Sequence, residues 1–282
     1  MSTPWKDPAH QPQMPQISMP RVTPVVKALM IANAVVFVLQ LILETWEPTS
    51  RIFNGVLVLD VDVWRRFSPF FPIWQLGTYG FMHSLGGLMH LGGNMLGLYF
   101  FGTMLESYLG SRKFCVGYFM AIIGGGLLHA LILFATSNHG PVVGASGGVM
   151  AILVACGVLF PRRTVLVFFF PVQLGWLVAF LVAGDAFMVI REWQSGGSDN
   201  VAHWVHLGGA AIGFCGIKYR WFQWDPIAKL AAKRAAGQVV KHVQEDQRFE
   251  QVLAKIHKDG MTALSRDEKE LLKRVSKRRQ GV

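Results

Sequence analysis

The feature that most constrains this chain is a series of six apolar runs, each close to the length that crosses a lipid bilayer. A spanning helix needs about 20 mostly apolar residues. Of the 282 residues, 52% are hydrophobic and only 16% are charged. This composition predicts an all-α membrane protein and argues against a soluble domain. The six runs cover residues 24–46, 88–106, 114–136, 144–160, 164–190 and 201–222.

Basic residues mark one side of the predicted bundle. Arg112 and Lys113 join the second and third runs, and Arg162 and Arg163 join the fourth and fifth. A further 14 of the 27 Lys and Arg residues lie in 223–282, after the sixth run. Such positive segments favour the cytoplasmic side of a membrane. We therefore expect a multi-pass protein of the cell inner membrane with both termini in the cytoplasm.

The chain divides into three predicted segments. Residues 1–23, rich in Pro, Gln and Met at their start, are expected to form a disordered cytoplasmic tail. Residues 24–222 are expected to form a six-helix membrane-embedded domain. Residues 223–282 are expected to form a small, basic, cytoplasmic helical extension.

Within this extension, two signals predict a helical hairpin. An apolar stripe with helical spacing precedes Gly260, and Ser265 with Glu268 is typical of a capping box at the start of a second helix. The stripe is more consistent with a small core of the hairpin itself than with a docking face. Its members are Phe249, Val252, Leu253 and Ile256.

Three polar residues lie near the starts of alternate apolar runs. His90, Ser146 and His206 belong to the second, fourth and sixth runs, which cross the membrane in the same direction. At about 1.5 Å of rise per residue, they would lie at one level, slightly below the outer surface. A polar side chain at membrane depth is costly unless it lines a wet cavity or has a partner. Their shared depth therefore indicates a functional site.

Ser146 and His206 are the candidate nucleophile and general base. A serine hydroxyl needs a base within hydrogen-bond distance to become reactive. Small residues follow both positions. They are Gly147, Gly148 and Ala151 after Ser146, and Gly208, Gly209 and Gly213 after His206. Such residues allow helices to approach closely in lipid, which the contact requires.

His90 and Asn94 are the candidate oxyanion donors. Their i, i+4 spacing places both on one face of the second helix. Ser146 begins a helix, where backbone N–H groups have no intrahelical partner and could bind a developing negative charge. The sequence thus predicts an oxyanion site made by His90, Asn94 and the Ser146 backbone.

Other polar residues in the apolar runs have competing interpretations. Asp185 could orient a base or line a water path, although a partnered structural acid is the more common role. His203 is a rival base, but the glycine-rich face follows His206. His129 and His83 are expected to be structural hydrogen-bonding residues. No His-Glu-x-x-His motif or zinc-ligand spacing is present. We therefore expect no metal and no cofactor, and the membrane location argues against a nucleic-acid partner.

These residues together resemble the rhomboid family of intramembrane serine proteases. The resemblance covers about residues 24–222 and implies a six-helix bundle with a serine–histidine dyad and no third acid. It implies that Ser146 is the nucleophile, His206 the base, and Glu106 a structural support. The similar segments are Phe81-Met82-His83, His90-Leu91-Gly92-Gly93-Asn94, Phe101-Gly102 with Leu105-Glu106, Gly144-Ala145-Ser146-Gly147, and Ala202 to Gly213.

Two departures from the family pattern stand out. Seven positions separate His83 from His90, so the loop that enters the second helix is expected to be remodelled. Met150 stands one turn after Ser146, where the family often has an aromatic residue. Packing around His206 is therefore expected to be looser.

The resemblance implies peptide-bond hydrolysis in transmembrane protein substrates, near the outer end of a spanning helix within the bilayer. Two other functions stay open at this point. One is a catalytically silent relative that binds membrane proteins as a scaffold, although such relatives usually lack the serine or the histidine. The other is a small transporter with a histidine proton relay. The sequence leaves open the oligomeric state and whether loop 47–87 or the fifth helix gates entry.

Overall fold

The structure is a computed structural model that describes residues 21–86, 88–136, 139–167, 169–195, 202–223 and 226–279. The fold is all-α apart from two short antiparallel strand pairs among these residues. It divides into two compact units, Met1–Trp224 and Asp225–Val282. Most of the tail predicted to be disordered, residues 1–20, lies outside the described residues.

The first unit contains ten labelled helices and four strands within its described residues. In chain order they are α1 (Pro24–Glu44), α2 (Glu47–Leu57), β1 (Leu59–Asp60), α3 (Val61–Phe67), α4 (Gln75–Thr78), α5 (Leu88–Gly97), α6 (Thr103–Leu109), α7 (Ser111–Thr136), β2 (Pro141–Val142), α8 (Ser146–Leu159), β3 (Thr164–Val167), β4 (Phe170–Gln173), α9 (Leu174–Ser195) and α10 (His203–Lys218).

Three of the described helices are long and apolar enough to cross a membrane. They are α1, α7 and the Leu174–Gln194 stretch of α9. The other predicted runs form shorter helices: α8 has 14 residues and α10 has 16. The run predicted at 88–106 is divided into α5 and α6 by a π-helical turn at Leu98–Gly102. The all-α class is thus confirmed, and the six-span count stays a prediction.

The fifth predicted run begins with a β-hairpin instead of a helix. β3 pairs with β4 in antiparallel register, with Thr164 opposite Gln173 and Val167 opposite Phe170. Thr164, Val165 and Val167 are β-branched, which favours strands, and Pro171 cannot occupy a helix interior without breaking it. The prediction of one helix over 164–190 was therefore wrong at its start, because apolar runs alone do not distinguish strand from helix.

The long connection after α1 is folded rather than extended. It contains α2, α3 and α4, and β1 pairs with β2. Gln75 is fully buried and ties this region together, because its Oε1 accepts from Trp64 Nε1 at 2.8 Å and its Nε2 donates to the Gly55 carbonyl at 2.9 Å. Side-chain hydrogen bonds thus hold α3 and α4 to the segment that follows α2.

Glu106 anchors the beginning of α1. Its carboxylate is buried and accepts from the backbone N–H groups of Val25 at 3.1 Å and Val26 at 2.9 Å. It also accepts from the hydroxyls of Thr23 and, at 2.6 Å, Ser111. Helix starts leave backbone N–H groups without intrahelical partners, and Glu106 supplies acceptors from a different helix. Glu106 thus joins α6 to the starts of α1 and α7, and its role as structural support stays a prediction.

Glycines bring α8 and α10 into direct backbone contact. A Cβ atom on Gly209 would lie 2.0 Å from the Gly147 carbonyl oxygen, and one on Gly213 would lie 2.3 Å from the Ala151 carbonyl oxygen. Both distances are far below van der Waals contact, so only glycine fits at these positions of α10. In lipid, where the hydrophobic effect does not drive helices together, such close packing supplies the attraction.

The second unit is a helical hairpin of α11 (Pro226–Asp259) and α12 (Arg266–Arg279). Its small core contains Phe249, Val252, Leu264, Leu271 and Val275. The predicted capping box at the start of α12 is confirmed, since Ser265 N donates to Glu268 Oε2 at 2.7 Å and Glu268 N donates to Ser265 Oγ at 3.2 Å. Leu253 of the predicted stripe is exposed instead of joining this core.

Replacement of Gly209 by alanine should separate α8 from α10. The added methyl would overlap the Gly147 carbonyl, and overpacking of this kind costs about 1–3 kcal/mol or more. We expect a lower temperature of thermal unfolding in detergent. Gly92→Ala is the matched control, because a Cβ at Gly92 meets no atom within 4 Å. Equal unfolding temperatures for the two variants would contradict the packing argument.

Replacement of Glu106 by glutamine should loosen the start of α1. Each carboxylate oxygen accepts from one hydroxyl and one backbone N–H, so an amide nitrogen at either position would face a backbone N–H that can only donate. Buried groups that lose their partners cost about 1–3 kcal/mol each, so we expect roughly 2–4 kcal/mol of destabilisation. Chemical unfolding in detergent measures this. The exposed Glu47, which pairs with Arg51, supplies the control variant Glu47→Gln, which should unfold like the unmodified protein.

Candidate active site

Ser146 begins α8 after a tight backbone turn at Gly144. Gly144 has a φ of +126°, a conformation that favours glycine, and its N–H donates to the Tyr79 carbonyl at 3.0 Å. A Cβ at Gly144 would lie 2.8 Å from His90 Nε2 and 3.7 Å from Ser146 Oγ. Glycine is therefore required here both for its backbone conformation and for the space beside His90.

The structure brings Ser146 and His206 into hydrogen-bond contact. His206 Nε2 lies 2.8 Å from Ser146 Oγ, although 60 positions separate the two residues in the sequence. Ser146 is the first residue of α8 and His206 lies in the first turn of α10, so the glycine contact between these helices sets the distance. Both side chains are partly exposed rather than sealed in the core. The pair thus has the geometry of an activated serine.

Asp185 of α9 lies on the other side of the His206 ring. Its Oδ1 atom is 3.0 Å from His206 Nδ1. A carboxylate can only accept hydrogen bonds, so this contact places the ring proton on Nδ1 and leaves Nε2 free to accept from the Ser146 hydroxyl. The sequence favoured a structural role for Asp185, and its position beside the base could not be read from spacing, because it comes from another helix.

His203 shares the same carboxylate oxygen. Its Nδ1 atom lies 2.6 Å from Asp185 Oδ1, and its ring stands edge-to-face with that of His206, with centroids 6.1 Å apart. Both Asp185 and His203 are buried. The sequence treated His203 as a rival base, whereas the structure turns its Nδ1 to Asp185 and places His206 against the serine.

His90 lies next to the serine with a nitrogen available to donate. Its Nδ1 accepts from the Ser84 N–H at 3.4 Å, which leaves the proton of a neutral ring on Nε2. That Nε2 atom is the one that faces Gly144, the residue two positions before Ser146. His90 is thus placed close to the predicted oxyanion position.

Asn94 is buried on the same face of α5 but is engaged within its own helix. Its amide nitrogen donates to the His90 carbonyl at 2.8 Å and lies 3.4 Å from His83 Nε2. The i, i+4 prediction correctly put Asn94 beside His90. The amide group, however, faces the backbone and His83.

Gln40 was not among the predicted site residues, and it holds the loop that carries His83. Gln40 Nε2 donates to the His83 carbonyl and the His83 N–H donates to Gln40 Oε1, each at 2.9 Å. A single glutamine within the apolar run of α1 was the available signal, since a buried amide needs partners. His83 itself bonds to neighbours as expected, whereas His129 has no hydrogen-bond partner among the described residues.

One group of described side chains could offer three ligands to a metal ion. The ligand atoms of Asp185, His203 and His206 lie within 4.8 Å of one another. Two of the separations, 2.6 and 3.0 Å, are hydrogen-bond lengths. Ligands around a tetrahedral zinc ion stand about 3.3 Å apart. The arrangement therefore fits protons shared between side chains better than a bound cation.

Comparison with known proteins identifies relatives of the chain. The chain is 33% identical over 218 residues to "Rhomboid protein 1, mitochondrial" of Saccharomyces cerevisiae, with 75% of this chain and 57% of the relative covered. It is 34% identical over 206 residues to "RHOMBOID-like protein 12, mitochondrial" of Arabidopsis thaliana, with 67% of this chain and 56% of that protein covered. "Presenilin-associated rhomboid-like protein, mitochondrial" of Rattus norvegicus is 29% identical over 212 residues, covering 73% and 52%. The chain spans about half the length of these curated relatives.

These comparisons correct the expected location. The prediction of a cell inner membrane with cytoplasmic termini was wrong, because the relatives are labelled mitochondrial and point to a mitochondrial membrane instead. The physical reason is that positive segments report which chain ends share a side, and not which membrane the protein occupies.

Two family models match the chain. Residues 240–278 of the second unit match a family of unknown function, DUF6576. Residues 71–221 match the Rhomboid domain, and this match contains Ser146, His206, His90, Asn94 and Asp185. With more than half of its residues in that match, the chain belongs to the rhomboid family.

Proposed function

We propose that the protein is an intramembrane serine endopeptidase that uses Ser146 and His206 as a catalytic dyad. The observation that carries the proposal is the 2.8 Å contact between Ser146 Oγ and His206 Nε2. Membership of the rhomboid family and the partial exposure of both side chains support it. Hydrolysis requires water at the serine, and a fully buried Ser146 would be closed to water.

The reaction follows the usual course of a serine nucleophile. His206 Nε2 accepts the Ser146 proton while Oγ attacks the scissile carbonyl carbon, and the C–N bond breaks as His206 returns the proton to the leaving amine. A water molecule, deprotonated by His206, then attacks the acyl-enzyme and releases Ser146. Each proton taken up by the imidazole is thus returned within the cycle.

Negative charge on the carbonyl oxygen would be stabilised from two helices. The backbone N–H of Ser146 lies at the unpaired N-terminus of α8, and His90 Nε2 faces the adjoining turn at Gly144. Asn94, the third proposed donor, has its amide on the His90 carbonyl, and therefore also fixes the first turn of α5. We propose these three groups as the oxyanion site.

The protein is proposed to act within a lipid bilayer as a six-span bundle. The α5–α6 stretch, α8 and α10 would complete the three longer spans, in a membrane domain over residues 24–222. Residues 1–23 would form a tail and 223–282 an extension outside the lipid. The labels of the relatives favour a mitochondrial membrane.

The proposed substrates are transmembrane proteins. A stable helix hides its carbonyl groups in hydrogen bonds, so a spanning segment must unwind before Ser146 can attack it. Glycine and other weak helix formers near the cleaved bond would lower the cost of that step. This proposal needs no metal or cofactor to supply the chemistry.

Loss of either dyad member should abolish proteolysis while the fold persists. We expect Ser146→Ala and His206→Ala to give no cleavage of a single-span substrate in detergent. The first variant lacks the oxygen that attacks the carbonyl, and the second lacks the base that takes up the proton. Mass spectrometry of the products and labelling by a fluorophosphonate probe measure this. The exposed Ser107→Ala is the serine control and should cleave and label normally. Cleavage by purified Ser146→Ala protein, or an unmodified protein that neither labels nor cleaves, as a silent scaffold would behave, contradicts the proposal.

Asn94→Ala should slow the reaction without stopping it. Removal of one oxyanion donor typically lowers kcat by about 100- to 1,000-fold. Because the Asn94 amide also bonds to the His90 carbonyl, we expect the loss to reach only about 10- to 100-fold. Steady-state cleavage of the same substrate gives kcat. An unchanged kcat would remove Asn94 from the proposed oxyanion site.

A further inference from the structure

We propose that Asp185 is a positioning residue for the reaction. It completes a Ser146–His206–Asp185 triad, and His203 holds its carboxylate in place. The inference rests on the proposed function and goes beyond a two-residue dyad. It assigns a role to two buried polar residues that the dyad leaves unused.

The geometry centres on one oxygen atom. Asp185 Oδ1 lies 3.0 Å from His206 Nδ1 and 2.6 Å from His203 Nδ1, and only about a tenth of the Asp185 side chain is exposed. Oδ1 can accept both contacts only if each ring carries a proton on Nδ1. The three side chains come from two helices, α9 and the first turn of α10.

This arrangement prepares His206 for its task as a base. With the proton held on Nδ1, the Nε2 lone pair points at Ser146 Oγ, 2.8 Å away. When His206 takes up the serine proton, the ring becomes positive in a site of low dielectric, and the adjacent carboxylate stabilises that charge. Asp185 itself neither gains nor loses a proton during the cycle.

His203 acts one step further from the reaction. It precedes His206 by three residues, so both rings leave the same face of α10 and reach one carboxylate. A carboxylate held by a single contact could turn about its side-chain torsions. The shorter contact, to His203, restrains it, so that Oδ1 stays aligned with His206.

A purely structural role for Asp185 makes a different prediction. As a tie between α9 and α10, it would affect stability and leave the rate of the folded enzyme unchanged. As a positioning residue, it would affect kcat and leave KM unchanged, because its contribution grows only as charge develops on His206. The two roles therefore separate in one set of measurements.

The decisive variant is Asp185→Asn, which keeps the size of the side chain and removes its charge. We expect kcat to fall roughly 100-fold with KM unchanged, and the rate of fluorophosphonate labelling at Ser146 to fall in parallel. Asp62→Asn is the matched control, since Asp62 lies in α3 and pairs with Arg65 and His139. It should retain the kcat of the unmodified protein.

His203→Ala tests the second contact. We expect it to lower kcat about tenfold, and the double variant with Asp185→Asn to be no slower than Asp185→Asn alone. Such non-additivity arises if His203 acts through the carboxylate. If the fold-loss of kcat in the double variant equals the product of the losses in the two single variants, His203 acts separately from Asp185. That result would overturn its assigned role.

Proton NMR of the full chain in detergent provides a readout that does not depend on cleavage. An imidazole N–H that donates to a carboxylate resonates far downfield of amide protons. Two such signals are expected, one lost in His203→Ala and both lost in Asp185→Ala. Should a variant fail to fold, the unmodified protein still tests the proposal, because absence of both signals from its spectrum contradicts the triad.

The outcomes distinguish this inference from the proposed function. If the unmodified protein cleaves and Asp185→Asn cleaves with the same kcat, or with only KM raised, the proposed role of Asp185 is wrong. The proposed Ser146–His206 dyad is then unaffected. If the unmodified protein neither cleaves nor labels while both downfield signals are present, the protease assignment fails and the contacts are structural.

Discussion

The approach of α10 to α8 is the constraint on which the rest of the site depends. Gly209 lies against the Gly147 carbonyl, and at that distance the first turn of α10 delivers His206 to Ser146. Lipid offers no hydrophobic force to bring these helices together, so packing of small residues must do it. The same short contact therefore stabilises the membrane unit and sets the separation of the two proposed reacting groups.

Around this contact, polar groups from several elements occupy one end of the bundle. Gln40 of α1 bonds to the loop at His83, Asn94 bonds to the His90 carbonyl in α5, and Asp185 of α9 bonds to two histidines of α10. Each unpaired polar group would be costly in an apolar environment. The groups satisfy one another instead, and this explains how so many can lie close to the proposed nucleophile.

The sequence predicted those parts of the site that local pattern determines. Ser146 and His206 stand at the starts of apolar runs with glycines following, so both their helical positions and their close approach could be inferred. The arrangement around Asp185 could not, because its partners lie 18 and 21 positions away on a different helix. Nor could the β3–β4 hairpin, since a continuous apolar run fits a buried strand and a helix equally well. The Asn94 amide shows a finer limit: spacing gives the face of a helix and not the rotamer.

Glutamate and glycine play opposite parts in the first unit. Glu106 binds the start of α1 through three hydrogen bonds, from Thr23, Val25 and Val26, so this helix is fixed at the end distant from its Gln40 contact. Gly209 and Gly213 of α10 hold that helix against α8, because without a Cβ atom the two backbones can touch. The long helix α9 contributes Asp185, whose Oδ1 atom contacts His203 and His206 of α10.

That placement of Asp185 has a consequence for how α9 is coupled to the proposed base. Asp185 Oδ1 belongs to α9 and His206 Nδ1 belongs to α10, so any shift of one helix along the other changes the 3.0 Å separation of these atoms. The orientation of the imidazole toward Ser146 therefore depends on the packing of a helix that carries neither member of the proposed dyad.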